Sequence, residues 1–69
     1  MHLSARNQLK GRVKSVKHGA VMAEVVIELP DGQEIVSAIT DGSVDSLNLK
    51  EGDSVVAVIK STEVMVGKE

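Results

Sequence analysis

The chain has 69 residues, with no cysteine and no aromatic residue, and its eight basic and ten acidic side chains leave a net charge of −2. A chain this short buries only about 60% of its unfolded surface, so without a disulfide it is expected to gain further burial by oligomerisation. The short length predicts one domain over residues 1–69. The balanced charge argues against nucleic-acid binding. The lack of a membrane-length apolar run or signal-peptide core predicts a soluble, cytoplasmic protein.

The first predicted strand contains a break in its apolar alternation. Residues 8–17 alternate between apolar and polar side chains and then change parity, which predicts a strand with a β-bulge near Lys14 and Ser15. A turn is predicted at residues 18–20, where Gly19 would take a positive φ.

The second and third strands are predicted to form a hairpin. The turn signal is Pro30-Asp31-Gly32, because proline presets φ and glycine accepts the positive φ that follows. Residues 33–40 alternate after this turn and form the third strand. Residues 21–29 precede it and place five apolar side chains on one face: Val21, Ala23, Val25, Ile27 and Leu29.

A short helix is predicted after the third strand, because Val44 and Leu47 lie at helical spacing behind Ser43, a residue suited to the N-cap. Residues 54–59 are apolar on both faces and predict a buried fourth strand, and residues 64–66 predict a short fifth one. Five strands with a helix between the third and fourth follow the order of the OB-fold, a small, partly open, all-β barrel. The two-sided apolar strands predict subunit interfaces.

Catalytic and metal-binding patterns are absent from the sequence. There is no cysteine and no Ser/His/Asp grouping, and the carboxylates lie mostly at predicted turns. The two histidines, at positions 2 and 18, have no paired metal-ligand spacing. We therefore expect neither an enzyme nor direct cation ligands.

Two short clusters combine a cation with a hydroxyl group, Ser4 with Arg6 and Lys60 with Ser61. Charged and hydroxyl donors together suit an oxyanion, but both cations also fit an ordinary solvated surface. Because the clusters lie near opposite ends of the chain, assembly from neighbouring subunits is one way to join them. The segment His18-Gly19-Ala20 has two interpretations as well, a hairpin turn or a backbone N–H donor pair.

Several segments together resemble the molbindins, the single-domain form of the Mop, or TOBE-type, molybdate-binding OB-fold domain. The resemblance covers the full chain and is carried by SARNQLKG at 4–11, Ile39-Thr40 with Ser43-Val44, LKEG at 49–52 and AVIKSTEVMV at 57–66.

The resemblance implies a bacterial protein that binds molybdate or tungstate, without an organic cofactor, for intracellular molybdenum storage or homeostasis. It implies a homohexamer, a trimer of dimers, with oxyanion sites at subunit interfaces and no nucleic-acid or membrane partner. The residues that match one oxyanion site are Ser4, Ala5, Arg6, Thr40, Lys60 and Ser61, and those of a second site are His18, Gly19 and Ala20. The alternative is a small OB-fold module that binds nucleic acid or a protein partner.

Overall fold

A computed structural model describes residues 2–69, which form one antiparallel sheet of four strands with a single α-helix. The strands are β1 (Asn7–His18), β2 (Met22–Glu28), β3 (Glu34–Thr40) and β4 (Ser54–Ile59), in the sheet order β3-β2-β1-β4. The helix α1 (Asp41–Leu47) follows β3, and a 3-10 turn at Ser61–Glu63 follows β4. Within residues 2–69, no helix has the length and apolar character needed to cross a membrane.

The long strand β1 links the two halves of the sheet. Its first half pairs with β4 and its second half pairs with β2. The register with β2 shifts between Val13 and Ser15, which confirms the predicted bulge. The bulge lets Val13 and Val16 pack on the same side although they differ in parity.

The core is thin and entirely aliphatic. Cross-strand partners share a face of the sheet, and the predicted apolar face of β2 is confirmed because Ala23, Val25 and Ile27 are buried. Val21 precedes β2 and is exposed. The buried core side chains are Val13, Ala23, Val25, Ile27, Val44 and Ala57.

The hairpin between β2 and β3 is confirmed, with Gly32 at φ 90°. The turn after β1 also forms, but Gly19 does not have the predicted positive φ. Glycine is required there for a different reason: a Cβ on Gly19 would lie 2.5 Å from the carbonyl oxygen of Met22. That carbonyl accepts the Gly19 N–H at 2.9 Å, so the turn is closed by a short approach that excludes a side chain.

The helix is confirmed, but it begins earlier than the sequence predicts. Its N-cap is Thr40 rather than Ser43, because the extended backbone of β3 continues to Thr40 (φ −69°, ψ 150°). The Thr40 hydroxyl oxygen accepts the Ser43 N–H at 3.0 Å. Val44 packs into the core as predicted, whereas Leu47 is exposed.

The predicted fifth strand is wrong for the single chain, since residues 2–69 form four strands. Val64, Met65 and Val66 follow the 3-10 turn without joining the sheet, and Met65 and Val66 are each 93% exposed. A strand needs a neighbouring strand for its backbone groups, and this segment pairs with no strand among residues 2–69. The predicted two-sided burial of β4 is also wrong here, because Val58 is exposed.

Candidate functional site

The donor clusters from the two ends of the sequence lie at one end of the sheet. Asn7, the first residue of β1, pairs with Ile59, the last residue of β4. The antiparallel register ends at this pair, and Arg6 and Lys60 are the next residue along each strand, so both lie at this end of the sheet. Arg6 lies in a bend, whereas the backbone of Lys60 is extended (φ −63°, ψ 137°). A single chain therefore brings the clusters together without a second subunit. We call this the cationic end: Ser4, Ala5, Arg6, Lys60 and Ser61.

The cationic end has unsatisfied donors. Arg6 and Lys60 are exposed, and neither takes part in the ion pairs formed within residues 2–69. Like charges gathered at one end of a sheet repel each other. The side chains of Ser4 and Ser61 are likewise exposed and form no hydrogen bond to other described residues. An anion between the two cations would remove the repulsion and use the hydroxyl groups.

The backbone of this end is held on both sides. The Gln8 side chain donates from Nε2 to the carbonyl oxygen of Ala5 at 2.7 Å, across a bend of the chain. On the other side, the Glu63 N–H donates to the carbonyl oxygen of Lys60 at 2.9 Å and closes the 3-10 turn. The two short segments that carry the donors are therefore shaped before any ligand binds.

Thr40 does not belong to the cationic end of the same chain. It pairs with Met22 at the far end of the sheet, near His18. The 12 residues of β1 separate these ends, roughly 35 Å along the strand at about 3.3 Å per residue. Thr40 therefore lies at the opposite end of β1 from the cationic end of its own chain.

The predicted second site lies around Thr40, and we call this region the Thr40 end: His18, Gly19, Ala20 and Thr40. The Gly19 N–H already donates to the carbonyl oxygen of Met22, so it is not a spare donor. His18 Nδ1 lies 3.0 Å from a carboxylate oxygen of Asp41. Ala20 is exposed in a bend.

The sequence does not single out Asp41, because it is one of several carboxylates at predicted turns. Its side chain is 23% exposed and contacts the imidazole of His18. Asp41 could have been recognised as a residue of the first helical turn, because it directly follows the capping residue Thr40 and carboxylates favour the first turn of a helix. The contact with His18 depends on the β1–β2 turn and could not be inferred locally.

The groups with shifted pKa values lie outside both ends. A hydrogen bond from Lys14 to Glu34, together with the charge of Glu34, raises the pKa of Lys14. Hydrogen bonds from the side chain and backbone of Gln33 lower the pKa of Asp31 in the hairpin turn. Among residues 2–69, no three His, Asp or Glu side chains gather in a way that could hold a metal ion.

Comparisons with known proteins find relatives that match nearly the whole chain. The TOBE-domain profile matches residues 3–66. Molybdenum-pterin-binding protein 3 of Clostridium pasteurianum is 53% identical over 66 residues, which cover 96% of this chain and 97% of that protein.

Two solved structures are similar to the whole fold. MopII from Clostridium pasteurianum has a TM-score of 0.92 at 51% identity and covers 97% of this chain and 100% of its own. The cytoplasmic molybdate-binding protein ModG, in a form with molybdate bound, has a TM-score of 0.84 at 51% identity over 88% of this chain and 43% of its own. This chain thus belongs to the TOBE-domain family, among relatives that are molybdenum-pterin-binding proteins of single-domain size.

Proposed function

We propose that this protein binds molybdate, and tungstate by the same chemistry, at the cationic end, within a homo-oligomer that serves intracellular molybdenum storage or homeostasis. The observation that carries the proposal is the register that brings Arg6 and Lys60 to the same end of the sheet, each with a hydroxyl group nearby in sequence. The molybdate-bound structure of the related ModG supports the choice of anion.

Molybdate is a tetrahedral dianion, and its charge matches that of the two cations. Arg6 and Lys60 would neutralise it, while the hydroxyl groups of Ser4 and Ser61 and the backbone of Ala5 would direct hydrogen bonds at its oxygens. Hydrogen bonds to a charged group contribute roughly 1.5 to 3 kcal/mol each. No covalent step is involved, and we propose a binding protein and not an enzyme.

Selection against sulfate would depend on size, because the two anions share shape and charge. Sulfate is the smaller anion, so donors placed for molybdate would be left partly unpaired around it. An unpaired buried donor is costly. Tungstate is close to molybdate in size and is expected to bind alike.

The exposed apolar surface supports oligomerisation. The sheet leaves an open groove of about 380 Å³ between its edge strands β3 and β4. Side chains from both edges and from the loop after α1 line it: Ile35, Ile39, Leu49, Val55 and Ile59. We propose that residues 64–66 of a second copy fill this groove as the fifth strand and complete an OB-type barrel. The family resemblance implies that such contacts build a hexamer, a trimer of dimers.

In this assembly, Thr40 of one copy would meet the cationic end of another. The distance between the two ends within one chain supports a shared site at a subunit interface. Binding would then favour assembly by mass action, because the complete site exists only in the oligomer.

The charges along β1 favour the oxyanion over nucleic acid. Arg12 pairs across the sheet with Glu28, and Lys17 pairs with Glu24. A nucleic-acid surface needs unopposed cations, together with aromatic groups for stacking on single strands. The chain has no aromatic residue, and Arg12, Lys14 and Lys17 each face a carboxylate.

We propose that residues 1–69 act as one binding domain in the cytoplasm. The related ModG is a cytoplasmic molybdate-binding protein, which supports this compartment.

Isothermal titration calorimetry with molybdate and with sulfate tests the proposed function. Wild-type protein is expected to bind molybdate much more tightly than sulfate. Lys60→Ala is expected to weaken molybdate binding by about tenfold or more, the effect of losing a charged hydrogen bond of roughly 1.5 kcal/mol. The oligomer is expected to remain, because Lys60 does not line the apolar groove that we propose holds the subunits together.

Lys17→Ala is the matched control, since Lys17 lies away from the cationic end and faces Glu24. It is expected to bind molybdate like the wild type. Equal affinity for molybdate and sulfate would contradict the size argument, and normal binding by Lys60→Ala would remove Lys60 from the site.

A further inference from the structure

We propose that His18 is a positioning residue: with Asp41 it forms a bracket that holds the Thr40 hydroxyl group ready to donate to the anion. The proposal rests on the proposed function, in which Thr40 of one copy contacts the anion at the cationic end of another. It gives His18 an indirect role, whereas the family resemblance implies a separate second site at His18, Gly19 and Ala20.

The start of α1 is tied to the turn after β1 by two contacts. His18 Nδ1 lies 3.0 Å from Asp41 Oδ1, and the backbone N–H of Asp41 donates to the carbonyl oxygen of Val21 at 2.8 Å. One contact fixes the backbone of Asp41 and the other fixes its side chain. Together they set the position of the first helical residue, directly after Thr40.

One arrangement of the hydrogen bonds around Thr40 leaves its own hydrogen available. Its Oγ1 accepts the Ser43 N–H at 3.0 Å and lies 2.8 Å from Ser43 Oγ. When the Ser43 hydroxyl group donates to Thr40, both contacts use the Thr40 oxygen as an acceptor. The Thr40 hydrogen can then point to a ligand, provided that α1 stays in place.

The bracket also controls a nearby negative charge. Asp41 adjoins Thr40 in sequence, and a free carboxylate there would repel a bound dianion. Contact with the imidazole of His18 keeps this carboxylate turned to the β1–β2 turn. The other nearby charges are Lys17, which faces Glu24 across the sheet, and Asp45, an exposed residue one turn further along α1.

Two substitutions of His18 separate positioning from direct anion contact. His18→Asn keeps an N–H donor near the place of Nδ1 and removes the outer part of the ring, whereas His18→Ala removes both. A positioning role predicts that His18→Ala weakens molybdate binding by roughly threefold to tenfold, as for an ordinary hydrogen bond, and that His18→Asn restores it. Equal losses in the two variants would overturn the proposal.

A double-variant comparison tests whether the effect passes through Thr40. Once Thr40→Ala has removed the hydroxyl group, His18→Ala is expected to cause no further loss of molybdate affinity. A full additional loss in the double variant would overturn the proposal, because His18 would then act independently of Thr40.

Amide hydrogen exchange tests the bracket without any anion. In the anion-free protein, His18→Ala is expected to speed exchange of the Ser43 amide, which bonds to Thr40, and His18→Asn is expected to restore its protection. Unchanged exchange in His18→Ala would overturn the bracket. Failure of the wild type to bind molybdate would instead overturn the proposed function, so the two failures are distinguishable.

Discussion

Gly11 and Gly19 are required as glycines because atoms of other residues lie where the Cβ of a side chain would be. A Cβ on Gly11 would lie 2.6 Å from Ile27 Cγ2 and 2.7 Å from the carbonyl oxygen of Glu28. A Cβ on Gly19 would lie 2.5 Å from the carbonyl oxygen of Met22. These distances are too short for a Cβ contact. Glycine at position 11 therefore allows β1 to approach β2 closely, and glycine at position 19 allows the tight turn that follows β1.

Gly19→Ala is expected to destabilise the fold by about 1 to 3 kcal/mol, the usual cost of overpacking where the neighbouring atom is backbone. Urea denaturation would measure the loss as a lower midpoint. Gly67→Ala is the matched control, because a Cβ there has no neighbour within 4 Å. Equal midpoints for the two variants would show that the turn can relax around the added methyl group.

Residue roles could be predicted only where they depend on local sequence. Gly19 was expected in a turn, and it lies in one, but its reason for being glycine depends on the carbonyl of Met22, which the hairpin register positions. Thr40 and Ser43 are both good capping residues. The choice between them depends on where β3 ends, and that is set by the pairing of Thr40 with Met22.

At the scale of elements, the strands with a partner inside the chain were predictable, and the last one was not. The parity change in β1 reports the bulge because alternation is a local property. Residues 64–66 have the apolar, β-branched composition of a strand but stay exposed in a single chain. A strand exists only with its neighbour, so sequence alone could not tell an internal strand from one that a second copy completes.

Met65→Asp is expected to break the oligomer while leaving the fold of each chain intact. Met65 is 93% exposed in the single chain, so the change costs little there. In the proposed groove it would lose about 2 kcal/mol of apolar burial and bury a charge as well. Sedimentation analysis should therefore show smaller particles, with an unchanged circular dichroism spectrum.

Met65→Leu is the control for this variant, because it keeps an apolar side chain of similar volume. It is expected to sediment like the wild type. A normal oligomer in Met65→Asp would contradict the role given to residues 64–66.

At the scale of the whole molecule, the thin core and the site that we propose to be divided between subunits both favour an assembly of more than one copy. Within residues 2–69, six aliphatic residues form the buried core, and the exposed groove lies between the two sheet edges. Composition predicts the need for partners, and the motifs predict the family. The placement of Arg6 and Lys60 at one end of the sheet needed the β1–β4 register, and the separation of Thr40 from them needed the strand order.

Native mass spectrometry with and without molybdate tests the central claim most directly, because it reports the number of subunits and the bound anions together. We expect an oligomer, a hexamer as the family resemblance implies, that carries molybdate and is stabilised by it against dissociation. Sulfate at the same concentration should give little bound anion. A monomer that retains no molybdate would contradict both the shared site and the proposed function.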